Sequence, residues 1–319
     1  MIDKFMTAGE AVDRFIQDGD QIALGGFTVN RNPMVLAREI IRQGKKKLYL
    51  VVHSHGQAME LLIGAGCVQR VELAYGGVAR FAPTGYRFKK AFLEKRIEVE
   101  DYSNYQMTLR FMAGAMGLPF VATKSGLSTD IVRLSGFSAG CRGQGKVPAH
   151  KLKVIDDPLD DDGGQVVILP PLNPDVTLIH VQYAGDDGTC RIDGLTFADI
   201  EQAKAAKKVI VTCEELVPRE FIRQDPDRNC LAPFMVDAIV PAPYGAHPTA
   251  CHQFYDYDPM HLNMFKKMAP DDNQFQDYLK QWVYPFDSQE DYLAKVGIRD
   301  LLKIKANPAL GYAPGLDRR

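Results

Sequence analysis

The chain has 319 residues, 46% of them apolar and 24% charged, and 38 basic against 40 acidic side chains give a net charge of −2. Such a chain buries a large core, as one large domain or two modest ones. The near balance of charge excludes wholesale nucleic-acid binding, and no run approaches 18 apolar residues, so no membrane-crossing segment is expected.

Residues 1–16 (MIDKFMTAGEAVDRFI) scatter acidic residues among apolar ones and lack an apolar h-region, so they read as an amphipathic helix and not a signal peptide. Asp18-Gly19-Asp20 is turn chemistry. Residues 21–27 (QIALGGF) then read as a short buried strand, with Gly25 and Gly26 removing both side chains where it ends. Two readings of the glycines stand: a tight turn into a helix over 33–42, or a backbone that something must approach closely. Further strands are expected over 48–54, 70–75, 97–102, 165–172, 176–184, 208–215 and 237–248. Helical spacing appears over 58–63, 86–94, 107–116 and 199–206. Strands alternating with helices predict an α/β fold, an open and mainly parallel sheet with flanking helices. Ligands of such sheets lie beyond the carboxyl ends of the strands. The stretches to watch are therefore 25–28, 53–56, 75–77, 100–103 and 214–215.

Residues 125–165 break the alternation. They are rich in Gly, Ser, Asp and Pro, carry the acidic run DDPLDDDGG, and read as an irregular loop insert. From residue 249 onward, aromatic and acidic residues mix with helical pieces, as in a C-terminal segment wrapped on the domain or on a partner.

Several motifs look catalytic but lack the required setting. GFSAG (136–140) has the spacing of a nucleophile elbow, yet the residues after Ser138 hold three glycines and a proline where a helix is needed. GCRGQGKV (140–147) has phosphate-loop spacing, yet Val147 stands where a hydroxyl should bind magnesium. Arg142 and Lys146 remain candidates for touching a phosphate, against a plain solvated loop. HPTACH (247–252) groups His247, Cys251 and His252 without a fourth ligand, so no metal is expected. HSHG (53–56) places His53 and His55 on one face at a strand end, as site residues or as satisfied structural histidines. The six cysteines are scattered without a CxxC, which predicts reduced thiols and a cytoplasmic protein.

The stretch DGDQIALGGFTVNRNP (18–33) resembles the signature of class I CoA-transferases, in the pattern of their glutaconate-type A subunits. It supplies Asp18-Gly19, the apolar Ile22-Ala23-Leu24, Gly25-Gly26-Phe27 and Pro33; Arg31 departs from the usual glycine. Supporting stretches are IEVEDYS (97–103), GLPF (117–120), DVTLIHVQYAGDDGTCRI (175–192), VTCEE (211–215) and VDAIVPAPYGAHPTACHQFYDYD (236–258). The resemblance implies the fold of that superfamily over residues 1–319 as a single domain. It also implies ping-pong transfer of CoA between carboxylic acids, in which a glutamate becomes a glutamyl-CoA thioester. That glutamate sits in a Ser-Glu-Asn-Gly motif on a B subunit, and this sequence has none.

The resemblance therefore implies half an enzyme, assembled as an (AB)n hetero-oligomer, with a CoA thioester as substrate and no permanently bound cofactor. It implies an oxyanion loop at Gly25, Gly26, Phe27 and Thr28. The substrate-binding candidates are His53, Ser54, His55, Gly56, Tyr75, Gly76, Gly77 and Asn104. Glu100, Glu214 and Glu215 compete as local nucleophiles, against a turn-capping role for Glu100 and a helix-opening role for Glu214-Glu215. Ring-opening hydrolases on the same fold use a glutamate of their A-type chain near the position of Asn104, where an amide cannot act as a base. Membership of such a hydrolase or of a decarboxylase, and a non-catalytic binding role, remain the alternatives.

Overall fold

The computed structural model describes residues 4–317. Its strands are β1 (Gln21–Leu24), β2 (Leu48–His55), β3 (Val68–Gly76), β4 (Glu98–Asp101), β5 (Val121–Thr123), β6 (Lys153–Asp156), β7 (Gln165–Leu169), β8 (Val176–Gly185), β9 (Cys190–Arg191), β10 (Lys208–Val217), β11 (Asn229–Leu231) and β12 (Ala238–Pro241). Its helices are α1 (Ala8–Phe15), α2 (Met34–Arg42), α3 (Gln57–Gly64), α4 (Tyr86–Leu93), α5 (Asn104–Ala115), α6 (Asp130–Arg133), α7 (Asp199–Ala205), α8 (Arg219–Gln224), α9 (Pro259–Met268), α10 (Asp272–Trp282), α11 (Gln289–Val296) and α12 (Ile298–Ile304).

Parallel pairing orders seven strands as β12-β10-β8-β1-β2-β3-β4, and β9 and β11 continue the sheet from β8 by antiparallel pairing. Both faces are covered, which is why the strands read as near-continuous apolar runs. Ile22, Leu24, Leu48, Leu50 and Val52 meet α1, α2, α3, α9 and α10 on one face. Ala23, Tyr49 and Val51 meet α5 and part of the 125–165 segment on the other.

From β1 the chain steps outward through β2, β3 and β4. It then returns to the opposite side of β1 as β8 and steps outward to β10 and β12. The order reverses between β1 and β8, and an open α/β sheet has its ligand crevice at such a reversal, outside the carboxyl ends. The Gly25-Gly26 turn stands there.

Three expectations need correction. Residues 165–169 do not join the main sheet; β7 forms a small antiparallel sheet with β5 and β6. The 125–165 segment is not irregular throughout: it contains α6 and β6. Phe137, Cys141 and Val147 bury themselves against α5 and β2, and this apolar anchorage is what orders the segment. Glu214 and Glu215 do not open a helix, because β10 runs through them to Val217.

Side-chain capping fixes the start of α1, α5, α9, α10 and α11. At α5, Ser103 accepts from the Gln106 N–H (3.1 Å) while Gln106 accepts from the Ser103 N–H (3.0 Å). This capping box starts the helix one turn earlier than the apolar spacing predicts. The reading of residues 1–16 as helical holds over α1; residues 1–3 lie outside the described residues. Downstream of 249, α9 and α10 pack Phe265, Phe275 and Leu279 into the main core, Leu262 joins a small cluster with Val29, Val78 and Phe81, and residues 318–319 lie outside the described residues.

Candidate active site

The site is built where three strands end. Gly25 extends the β1–β8 pairing by one bond, its N–H donating to the Leu178 carbonyl at 2.8 Å. Gly26 then turns the chain with φ +84°, in the left-handed region. A Cβ on Gly26 would lie 2.4 Å from the Asn30 carbonyl oxygen and 2.5 Å from that of Arg31. A Cβ on Gly25 would lie 3.1 Å from the Asp199 carboxylate and 3.2 Å from Ile179. The protein's own backbone thus demands a glycine at 26, while at 25 a side chain would crowd Asp199 and Ile179.

The oxyanion expectation for this loop is corrected by the same geometry. Gly26 N–H donates to Asp199 Oδ1 (2.8 Å), Phe27 N–H to the Asn30 carbonyl (2.8 Å) and Thr28 N–H to the Ser54 carbonyl (3.2 Å). With Gly25 bound to Leu178, each of the four amides has an internal acceptor. The loop presents an aromatic wall: Phe27 is half-buried, and its ring stacks on Phe197 with centroids 4.8 Å apart.

The end of β2 lies beside this wall. His53 faces Phe27 at 5.8 Å between ring centroids, and its Nδ1 has no partner among the described residues. Burial lowers the His53 pKa, against an opposing pull from Asp199 and the Asn104 backbone. His55 faces the same loop but sits beneath it, wholly buried, with Nε2 3.0 Å from the Gly25 carbonyl. Its place is structural, not a pocket lining. Ser54 is buried and donates its hydroxyl to Asn104 Oδ1 (2.6 Å), which ties β2 to the exposed first residue of α5.

Tight backbone contacts complete the cluster. A Cβ on Gly56 would stand 2.2 Å from the Thr28 carbonyl oxygen, and one on Gly77 2.5 Å from that of Pro83. Gly76 abuts Met59, Gly77 N–H donates to His55 (2.9 Å), and Tyr75 donates its hydroxyl to Pro83 (2.5 Å). The structure therefore brings together 25–28, 53–56, 75–77 and Asn104.

Other candidates stand elsewhere. Glu100 is buried and fixes the 125–165 segment: it accepts from Gly136 N–H (2.9 Å) and pairs with Arg142 and with Lys151 (3.1 Å). Neither Glu100 as nucleophile nor Arg142 as phosphate contact survives, because each neutralises the other. Lys146 pairs with Asp175 at 2.5 Å. Ser138 is exposed and donates to Glu98 (2.6 Å), so no elbow forms. His247 is buried between the Tyr292 hydroxyl (2.7 Å) and Asp258 (3.1 Å), and burial lowers its pKa.

Glu214 belongs to a buried polar chain. It pairs with His180 (2.6 Å), while the Tyr255 hydroxyl and the Tyr244 N–H donate to it (2.5 and 2.7 Å). The ligand-type atoms of His180, Glu214 and Cys251 lie within 4.8 Å of one another. However, both His180 nitrogens are engaged, the second with Thr212 (2.7 Å), so the cluster reads as a hydrogen-bond network.

Sequence reading missed Asp199 and Phe197. An acidic residue opening a helix looks like ordinary dipole complementation, and nothing local in the sequence shows that its carboxylate reaches Gly26. Next to them is a cavity of about 340 Å³ lined by Asn30, Arg31, Asp193, Leu195, Phe197 and His252.

His55 carries a pH prediction. Burial pushes its pKa down to about 4, from an ordinary 6.5. Protonation would place an N–H on Nδ1, which has no partner among the described residues. The unfolded chain therefore binds the proton first, so this stability is present above pH 6.5 and lost as pH falls towards 4, on the order of 3 kcal/mol in full. Urea unfolding of wild type and His55→Gln from pH 7 to 4.5 checks this, and the variant should show the shallower loss.

Comparison with known proteins points the same way. The family model described as Coenzyme A transferase matches residues 5–242. The chain is 38% identical over 310 residues to the A-type subunit of glutaconate CoA-transferase from Acidaminococcus fermentans, covering 97% of each. It is 31% identical over 298 residues to the A-type subunit of 3-oxoadipate CoA-transferase from Pseudomonas knackmussii, covering 92% of this chain and 98% of that one. The crystal structure of the Acidaminococcus fermentans glutaconate coenzyme A-transferase superposes with a TM-score of 0.95 over 99% of both chains, at 38% identity. No described helix is long and apolar enough to cross a membrane. On these grounds the chain belongs to the coenzyme A transferase family, within its A-type subunits.

Proposed function

We propose that this chain is the A half of a hetero-oligomeric enzyme that moves CoA between an acyl-CoA and a short dicarboxylic acid. The B partner supplies the glutamate that attacks the acyl-CoA and carries CoA as a glutamyl thioester. One observation carries this reading. At the reversal point between β1 and β8 the chain builds a shaped wall whose carboxylate, Asp199, is already engaged. Asp199 is held by Gly26 and Arg31, and Glu100, at the end of β4, by Arg142 and Lys151.

The chain's own contribution is then positional. Phe27 covers one side of the acyl group, His53 offers a neutral ring with a free nitrogen, and the Ser54–Asn104 bond fixes the rim. The glutaconate and 3-oxoadipate relatives support a dicarboxylate. Six unpaired cysteines support a reducing compartment. Ring-opening hydrolysis gains nothing here: its carboxylate would stand near Asn104, whose amide oxygen is taken by Ser54.

Expressed alone, the chain should transfer no CoA from acetyl-CoA to glutaconate or another dicarboxylate. Co-expressed with its B partner, it should co-purify as a stable complex and regain turnover. Robust transfer by the isolated chain would sink the half-enzyme reading.

A further inference from the structure

The glycine loop rests on two charges for which the transfer chemistry has no use. Arg31 Nη1 and Asp199 Oδ2 pair at 2.8 Å, with side-chain exposures of 3% and 1%. The other carboxylate oxygen accepts the Gly26 N–H at 2.8 Å. The guanidinium also donates to the carbonyls of His180 on β8 (3.1 Å) and Leu195 (2.7 Å). Arg31 itself is held at φ +47°, and its N–H donates to the Ala250 carbonyl at 2.7 Å. Phe197, two residues before Asp199, stands at φ +50° and stacks on Phe27.

Three distant segments (the loop after β1, the middle of β8 and the entry to α7) therefore converge on a single ion pair. Stability alone is a poor reason for it. Desolvating two charges is costly, and a well-packed apolar pair often does as well or better. An apolar pair could not accept the Gly26 N–H, nor could it fix β8 and α7 against the loop by directional bonds.

We propose that Arg31 and Asp199 are a positioning pair that sets where Phe27 stands against the acyl group, so that losing the pair slows the chemical step more than it weakens acyl-CoA binding. This rests on the reading of the loop as the wall of the acyl site. The pair touches no reacting atom; it acts through Gly26 and Phe27.

The experiment uses the complex co-purified with the B partner, with acetyl-CoA as donor and the dicarboxylate that the wild type uses best as acceptor. Asp199→Asn keeps an oxygen for Gly26 but leaves Arg31 buried without its counter-charge. Its kcat should fall about 10- to 100-fold, the scale of a misplaced active-site element, with KM for acetyl-CoA changed by less than about threefold. Arg31→Met/Asp199→Leu removes both charges and stays informative if the single variant folds poorly. Its melting temperature should recover relative to Asp199→Asn, while kcat stays low. Recovery of kcat together with melting temperature would make the pair merely structural and overturn the proposal, as would wild-type kcat in Asp199→Asn. Phe27→Ala separates the two levels. If it lowers kcat while the Asp199 variants do not, only the positioning pair fails; if it too leaves kcat unchanged, the wall reading fails first.

Discussion

Gly26→Val should abolish transfer by the assembled complex, with turnover down at least about 10²-fold. The cause is inside the protein. The new Cβ would lie 2.4 Å from the Asn30 carbonyl oxygen, a distance that real Cβ atoms do not show, and the backbone must move to relieve it. A β-branched residue at φ +84° adds strain of about 1–3 kcal/mol. Movement of the turn breaks the Gly26–Asp199 bond and displaces Phe27. Gly26→Ala should be nearly as damaging, because the clash begins at Cβ. Gly66→Ala is the control: it has a similar φ of +72° but nothing within 4 Å of its Cβ, so only a conformational cost of about 1 kcal/mol is expected. The measurement is steady-state kinetics on the co-purified complex, with circular dichroism for folding. Near wild-type turnover in either Gly26 variant would show that the loop's position does not matter to the reaction.

Glu100→Ala should produce the largest loss of stability, about 3 kcal/mol or more, because it leaves Arg142 without its buried counter-charge and Lys151 with only the exposed Asp101. The lost carboxylate also holds the Gly136 N–H, and Gly136 packs so closely on β4 that a Cβ there would lie 2.1 Å from the Val99 carbonyl oxygen. The 134–151 stretch should therefore loosen from the sheet end. Limited proteolysis should cut first within that stretch, and the urea midpoint should fall. Turnover per folded complex should change by less than about tenfold. A 10³-fold loss of turnover with an unchanged midpoint would instead restore Glu100 as a reacting carboxylate.

The outcome at Glu100 shows where local sequence runs out. An acidic residue at the end of an expected strand looks the same whether it faces a substrate or a buried cation. The Arg142 that settles the matter is 42 residues away. The same holds for Glu214, whose partners His180 and Tyr255 come from β8 and the segment before α9. Asp199 is the sharpest case, since its bond to Gly26 spans 173 residues.

What the sequence determined by itself is what depends on near neighbours. Apolar runs bounded by Gly, Pro and Asp placed the strands of the parallel sheet, because strands buried on both faces are apolar over most of their length. Ser103 and Gln106 at capping distance set the start of α5 through bonds three residues apart. The Gly25-Gly26-Phe27 signature marked the carboxyl end of β1, and its resemblance identified the family. Tertiary structure alone decided why Gly26 is needed, which strand-end residues come together and which charges hold the loop. Those answers rest on contacts between segments tens to hundreds of residues apart. Side-chain type and spacing carry no record of such partners until the sheet order brings β1 beside β8.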